Sequence, residues 1–239
     1  LIENAIDAGA STIEIDVKDG GKTLIRISDN GCGMDKEDLK SAIDRHATSK
    51  LSDETLDNIH TFGFRGEALP SIASVAHLEI KTKSQDSDTA WKIVVDNGYK
   101  GNILPCAHPR GTVVEVMDIF KMTPARLKFM KSDRAEFSAI RDVVTRQALA
   151  NADISFKLTH NDKLSLSIQT PANNEGNEAF IRRRAAQLLG NDFVENAIYI
   201  KQEQEGMILS GLVSLPTYHK ATAQSQYFFI NNRPVKDKL

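Results

Sequence analysis

Four short segments carry side chains able to do chemistry. Asp29-Asn30-Gly31-Cys32-Gly33 sets a carboxylate directly before glycine backbone that can approach a flat ligand closely, and such a carboxylate accepts from an amine like that of adenine. Glu3, Asn4 and Asp7 fall on one predicted helix, Glu3 and Asp7 a turn apart, with the Asn4 amide oxygen suited to a hard cation such as magnesium. His46-Ala47-Thr48-Ser49-Lys50 combines hydroxyls with an ammonium. Gly63-Phe64-Arg65-Gly66-Glu67-Ala68-Leu69 places glycines and an Arg before a helix start, where free amides and the helix dipole favour phosphate. Each segment by itself also has a plainer reading: an Asp-Asn-Gly turn, a solvated helix face, and two capped loops.

Two common nucleotide signatures are excluded. Gly21-Lys22-Thr23 has the ending of a P-loop, but Asp16 stands where its first glycine belongs. Gly31-x-Gly33 lacks the third glycine of a dinucleotide-binding turn, because Lys36 occupies that place.

The elements that must position these groups follow from periodicity. The opening helix stops at Gly9. Residues 12–18 alternate Ile13, Ile15 and Val17 with charged neighbours, and Asp19-Gly20-Gly21 turns the chain into a second strand at 24–27, an antiparallel hairpin. Asp35 caps a helix running to about Arg45. A helix is expected at 68–76, strands at 77–83, 90–96 and 112–117, a long helix at 133–150, and strands near 154–158 and 164–168. Grouped strands and helices of this kind make an α+β sandwich. Pro171 to Asn177 reads as a linker, so the expected domains are 1–171 and 178–239; the second has a helix at 178–189 and strands at 196–201, 207–213 and 226–230.

Composition bounds the rest. The 239 residues suffice for two modest domains, and 41% apolar with 26% charged residues is ordinary for a globular chain. Lys plus Arg (30) nearly balances Asp plus Glu (32), so any nucleic-acid contact must come from local basic patches. Cys32 and Cys106 form no metal-ligand spacing or disulfide framework, and no apolar run approaches the ~20 residues of a membrane span. No membrane association and a cytoplasmic location are the expectations. Leu1-Ile2-Glu3-Asn4-Ala5-Ile6 reads as the middle of a helix, so the chain is expected to be a segment truncated at both ends.

In their order, the four segments resemble the ATP-binding motifs of the GHKL superfamily, which includes gyrase, heat-shock chaperones, histidine kinases and MutL. Asn4-Ala5-x-Asp7-Ala8-Gly9-Ala10, His46-Ala47-Thr48-Ser49-Lys50 and Gly63-Phe64-Arg65-Gly66-Glu67-Ala68-Leu69 resemble the MutL branch, and the similarity continues through Thr123-Pro124-Ala125-Arg126 to Asn231-Asn232-Arg233. The resemblance implies a GHKL (Bergerat-type) α/β sandwich followed by a partial ribosomal S5 domain 2-like domain. It implies ATP and Mg2+ as cofactors, with Asn4 the metal ligand and Asp29 the adenine-reading acid. Gly31 and Gly33 would be the backbone beside the base, and Thr112 would support Asp29. Thr48, Ser49 and Lys50 would form a lid, and Gly63, Phe64, Arg65 and Gly66 would enclose the phosphates. The family's general-base Glu would immediately precede Leu1; Glu3 lies roughly 60° around and about 4.5 Å along the helix from that place and does not substitute for it. The family's phosphate-contacting Lys from the second domain would lie beyond Leu239.

The implied activity is an ATP-driven switch in DNA mismatch repair. ATP binding would order the lid and drive homodimerisation, coupling a mismatch-recognition protein to a downstream nuclease or helicase and strand incision. A sequence-independent DNA groove would draw on Arg233, Lys236 and Lys238; Arg126, Lys128 and Arg182-Arg183-Arg184 are further cations able to neutralise phosphates. Within the family pattern, Asn232 occupies a turn position where glycine is common. The alternatives are a nucleotide-responsive DNA-binding adaptor that does not hydrolyse ATP, and another GHKL enzyme.

Overall fold

The computed structural model describes residues 1–44, 67–170, 177–220 and 225–235. Its elements run α1 (Ile2–Asp7), β1 (Thr12–Lys18), β2 (Leu24–Asp29), α2 (Lys36–Ala42), α3 (Ala68–Ala73), β3 (His77–Lys83), β4 (Ala90–Asp96), β5 (Tyr99–Lys100), β6 (Leu104–Cys106), β7 (Gly111–Met117), α4 (Pro124–Leu127), α5 (Asp133–Ala150), β8 (Ser155–His160) and β9 (Lys163–Ile168). After these come α6 (Asn177–Leu189), α7 (Asn191–Glu195), β10 (Ala197–Gln204), β11 (Met207–Ser214), β12 (Phe228–Ile230) and β13 (Arg233–Val235). The chain divides into two compact units, one of Leu1–Asp142 with Phe156–Ser167 and one of Val143–Ser155 with Ile168–Leu239.

In the first unit the strands form a single mixed sheet in the order β5-β4-β3-β7-β2-β1-β8-β9, with β6 beside β4. The β1–β2 hairpin is antiparallel, as the alternation of 12–18 and the Asp19-Gly20-Gly21 turn require. By contrast, Lys157 reaches Glu14 and Thr159 reaches Asp16, two residues further along both strands, so β8 runs parallel to β1.

Cross-strand register explains where the site falls. Val17, Ile25, Val116, Leu78 and Val95 stand directly opposite one another across five strands, and so do Ile15, Ile27, Val114, Ile80 and Ile93. Directly opposed residues share a face, so these make two apolar rows. Leu39, Ile43, Ala73 and Ala76 from the α2 and α3 segments pack with the β3, β4 and β7 members of these rows. Each fully buried Ile, Leu or Val contributes about 1.5–3 kcal/mol, and Ile15, Val17, Leu78 and Ile80 are all buried. The third row on that face is Ile13, Asp29, Thr112, Thr82 and Trp91. There the apolar pattern gives way to a carboxylate and two hydroxyls. On the opposite face Arg26 meets Asp16 and Glu115, and Lys81 meets Glu79, so that side is charged.

Two features hold the ends of this frame. Gly9 at φ +68° closes α1 with Gly9 N–H on the Ile6 carbonyl and Ala10 N–H on the Ala5 carbonyl, a Schellman arrangement. Gly20 lies under α5, where a Cβ would sit 2.7 Å from Asp133 Cα, and Lys22 pairs with Asp133 at 2.8 Å.

The second unit contains the α6–α7 pair, the antiparallel β10–β11 ribbon and the short β12–β13 hairpin. Here the three consecutive arginines separate. Arg184 is buried and donates to the carbonyls of Ala152 and Ile154, and burial lowers its pKa to about 10. Arg182 donates to Glu178 and to the Val194 and Ala197 carbonyls. The expectation that this run offers phosphate-neutralising cations is therefore corrected for Arg184, which joins two segments of backbone. In the β12–β13 turn, Asn231 and Asn232 take φ +48° and +62°, so Asn232 adopts the left-handed conformation that glycine would supply. Among the described residues, no helix is long and apolar enough to cross a membrane.

Candidate functional site

Asp29 is the last residue of β2, at the point where the polar row meets the chain's departure from the sheet. The loop that follows is pinned at several points. The Asn30 carbonyl oxygen of its side chain accepts from the Ser11 and Thr12 amides at 2.9 and 3.0 Å. Cys32 N–H donates to the Ala8 carbonyl at the end of α1 at 2.9 Å, and Gln85 N–H donates to the Cys32 carbonyl at 3.0 Å. Met34 N–H donates to Thr82 Oγ1 at 2.9 Å.

The glycines are demanded by this packing. A Cβ on Gly31 would lie 2.7 Å from the Ala8 carbonyl oxygen, and one on Gly33 would lie 2.0 Å from that of Lys83. Gly33 also takes φ +68°, which side chains disfavour. At Gly31 and Gly33 the loop is thus packed backbone to backbone on the end of α1 and on β3, with the exposed Cys32 side chain between them. From the far side, Arg110 Nε donates to the Gly31 carbonyl at 3.2 Å.

Asp29 is half-buried, and Gly31 N–H donates to its Oδ1 at 2.9 Å. Burial raises its pKa above the ordinary carboxylate value, outweighing the amides of Gly31 and Thr112 and the charge of His108, which lower it. A carboxylate short of solvent, beside two glycines, is suited to receive an N–H donor from a flat ring. Next to it, Thr112 is 8% exposed, and its Oγ1 lies 3.0 Å from Oγ1 of Thr82, which is fully buried.

The structure therefore brings Asp29, Gly31, Gly33 and Thr112 together. Asn4 lies one turn before Ala8 on α1, its carbonyl accepting from Ala8 N–H at 3.0 Å. Its side chain is half-buried and makes no hydrogen bond among the described residues, which leaves the amide oxygen able to take a cation. Arg233 begins β13 in the second unit. Thr48, Ser49, Lys50, Gly63, Phe64, Arg65, Gly66, Lys236 and Lys238 lie outside the described residues. Among the described residues no cluster of three His, Cys, Asp or Glu side chains could hold a metal. Sequence reasoning missed Thr82, His108 and Arg110. Thr82 was findable, because it continues the inward alternation of Leu78 and Ile80; the two loop residues carry no such signal.

Comparison with known proteins supplies the family. A family model described as "Histidine kinase-, DNA gyrase B-, and HSP90-like ATPase" matches residues 1–105, and one described as "DNA mismatch repair protein, C-terminal domain" matches 185–239. The DNA mismatch repair protein MutL of Paramagnetospirillum magneticum is 46% identical over the whole chain, which spans 39% of that protein. That of Allorhizobium ampelinum is 50% identical over the whole chain, which spans 38% of it. The chain thus spans well under half the length of these relatives. Among solved structures, the Aquifex aeolicus MutL ATPase domain complexed with ADP is 25% identical with a TM-score of 0.76, over 99% of this chain and 80% of that one. The N-terminal domain of a DNA repair protein is 26% identical with a TM-score of 0.78, over 99% and 72%. With both sequence segments and the fold in agreement, the chain belongs to the MutL family of DNA mismatch repair proteins and carries that family's GHKL ATPase fold.

Proposed function

We propose that this chain is the ATP-operated part of a switch in DNA mismatch repair, with 1–171 as the nucleotide-binding domain and 178–239 as an S5-like transducer. The observation that carries the reading is the Asp29 carboxylate, desolvated at the end of β2 and flanked by Thr112 and by Gly31 and Gly33. The ADP bound by the similar Aquifex aeolicus domain supports a nucleotide here.

Asp29 accepts from the adenine amine while Gly31 and Gly33 let the ring lie against backbone. Asn4 offers its amide oxygen to the magnesium that accompanies the phosphates; the ion, when bound, neutralises phosphate charge. Thr48, Ser49 and Lys50 close over the nucleotide, and Gly63, Phe64, Arg65 and Gly66 surround its phosphates. Hydrolysis in this reading uses a Glu immediately upstream of Leu1 in the whole protein. Closure of these loops drives homodimerisation and forms a sequence-independent DNA groove to which Arg233, Lys236 and Lys238 contribute. The dimer then couples a mismatch-recognition protein to a nuclease or helicase.

Calorimetric titration of the whole protein with ATP, with and without magnesium, tests the reading. Magnesium-dependent binding should weaken at least about 10-fold in Asp29→Ala, the loss of one desolvated charge-assisted hydrogen bond. Equal affinities in the two proteins would return Asp29-Asn30-Gly31 to an ordinary turn.

A further inference from the structure

Three consecutive residues entering β7 grip three consecutive residues leaving β2, each in a different way. Thr112 stands opposite Asp29, and its amide donates to the Asp29 carboxylate. Gly111 lies so close to the same strand end that a Cβ there would sit 2.1 Å from the Asp29 carbonyl oxygen and 2.9 Å from Asn30 Cα. Arg110 reaches one residue further and donates through Nε to the Gly31 carbonyl at 3.2 Å. The first two grips belong to backbone, and only the third depends on a side chain.

That side chain acts where the loop has least stiffness of its own. Glycine restricts its backbone less than any other residue, so the direction of the Gly31 amide is set by what holds the peptide groups on either side of it. The group joining Gly31 to Cys32 is held at both ends, its carbonyl by Arg110 Nε and its N–H by the Ala8 carbonyl at 2.9 Å. The Gly31 N–H in turn donates to Asp29 Oδ1 at 2.9 Å. A carboxylate has about four acceptor positions, so the Gly31 and Thr112 amides orient it and leave others for a ligand's donor. Resting on the adenine reading above, we propose that Arg110 is a positioning residue for base recognition: by holding the Gly31 carbonyl it keeps the Gly31 amide on Asp29 and so aims the carboxylate at the adenine amine. The operative group is the Nε–H and not the charge. A glutamine side chain carries an N–H donor the same number of bonds from its Cα, which separates the two.

The test compares ATP with purine riboside triphosphate, in which a hydrogen replaces the exocyclic amine, by calorimetric titration of the whole protein as wild type, Arg110→Met and Arg110→Gln. Arg110 is exposed, so neither substitution opens a cavity. Wild type should prefer ATP at least about 10-fold, the worth of one hydrogen bond to a charged acceptor. Arg110→Met, which keeps an apolar stem and has no donor, should reduce the preference to about 3-fold or less by weakening ATP alone. Arg110→Gln should restore the wild-type preference. A wild-type preference in Arg110→Met, an equal loss for both ligands, or a preference in Arg110→Gln as low as that in Arg110→Met overturns the inference while leaving the adenine reading intact. Parity of the two ligands in the wild type overturns the Asp29 reading and the inference with it. Wild-type protein that binds no ATP removes the nucleotide reading itself.

Discussion

Asp29 carries the account at the level of single residues because its position is unfavourable for stability. Burial raises its pKa in the folded protein, so the folded state takes up a proton at a higher pH than the unfolded state does. Its contribution therefore turns against folding as pH rises from below the ordinary carboxylate range through the raised value, and at neutral pH the ionised form is a net cost. A residue retained at such a cost is suited to a ligand. Asp29→Asn removes the charge while keeping an oxygen for the Gly31 amide. In urea titrations at pH 7 this variant should be at least as stable as wild type, yet bind ATP at least about 10-fold more weakly. A clear loss of stability would mean that the carboxylate serves the fold. Wild-type ATP affinity should also fall on acidification through the raised Asp29 pKa, and the Asn variant should not show that fall.

Among elements, the loop between β2 and α2 is what converts a sheet edge into a site. Gly33 combines φ +68° with a Cβ position 2.0 Å from the Lys83 carbonyl oxygen, whereas Gly9, also at φ +68°, has no atom within 4 Å of its Cβ position. Gly9→Ala should therefore show only the cost of the left-handed backbone, about 1 kcal/mol, and Gly33→Ala roughly 2–4 kcal/mol. Chemical denaturation of the two variants measures the difference, and equal costs would contradict the close packing of the loop on β3. Much of this frame was legible in the sequence. Alternation of Ile13, Ile15 and Val17 located β1, the Asp35 cap located α2, and the full extent of α5 followed from helical spacing. The short elements β5, β6, α4 and α7 were not, since two to five residues carry too little periodicity. Nor was the place of Thr82 in one row with Asp29 and Thr112, because register between strands distant in sequence is set by pairing and leaves no local pattern. Arg182-Arg183-Arg184 misled for the opposite reason: a charge run looks solvated, but a helix turns successive residues by ~100°, which here carries Arg184 inward.

For the molecule as a whole, the same economy holds in both units. The first uses two apolar rows to present a third, polar one at the end of its sheet. The second buries Arg184 to hold the 152–154 backbone, and it offers Arg233 next to a turn made by Asn231 and Asn232. Under the proposed function, the nucleotide meets the end of this sheet and the loop that leaves it. The most direct test is diffraction from crystals of the whole protein grown with magnesium and a non-hydrolysable ATP analogue. The expected structure has the adenine amine within hydrogen-bond distance of Asp29, the ring against the Gly31–Gly33 backbone, and Asn4 on the metal. A base bound elsewhere, with Asp29 facing only its own loop, would contradict it.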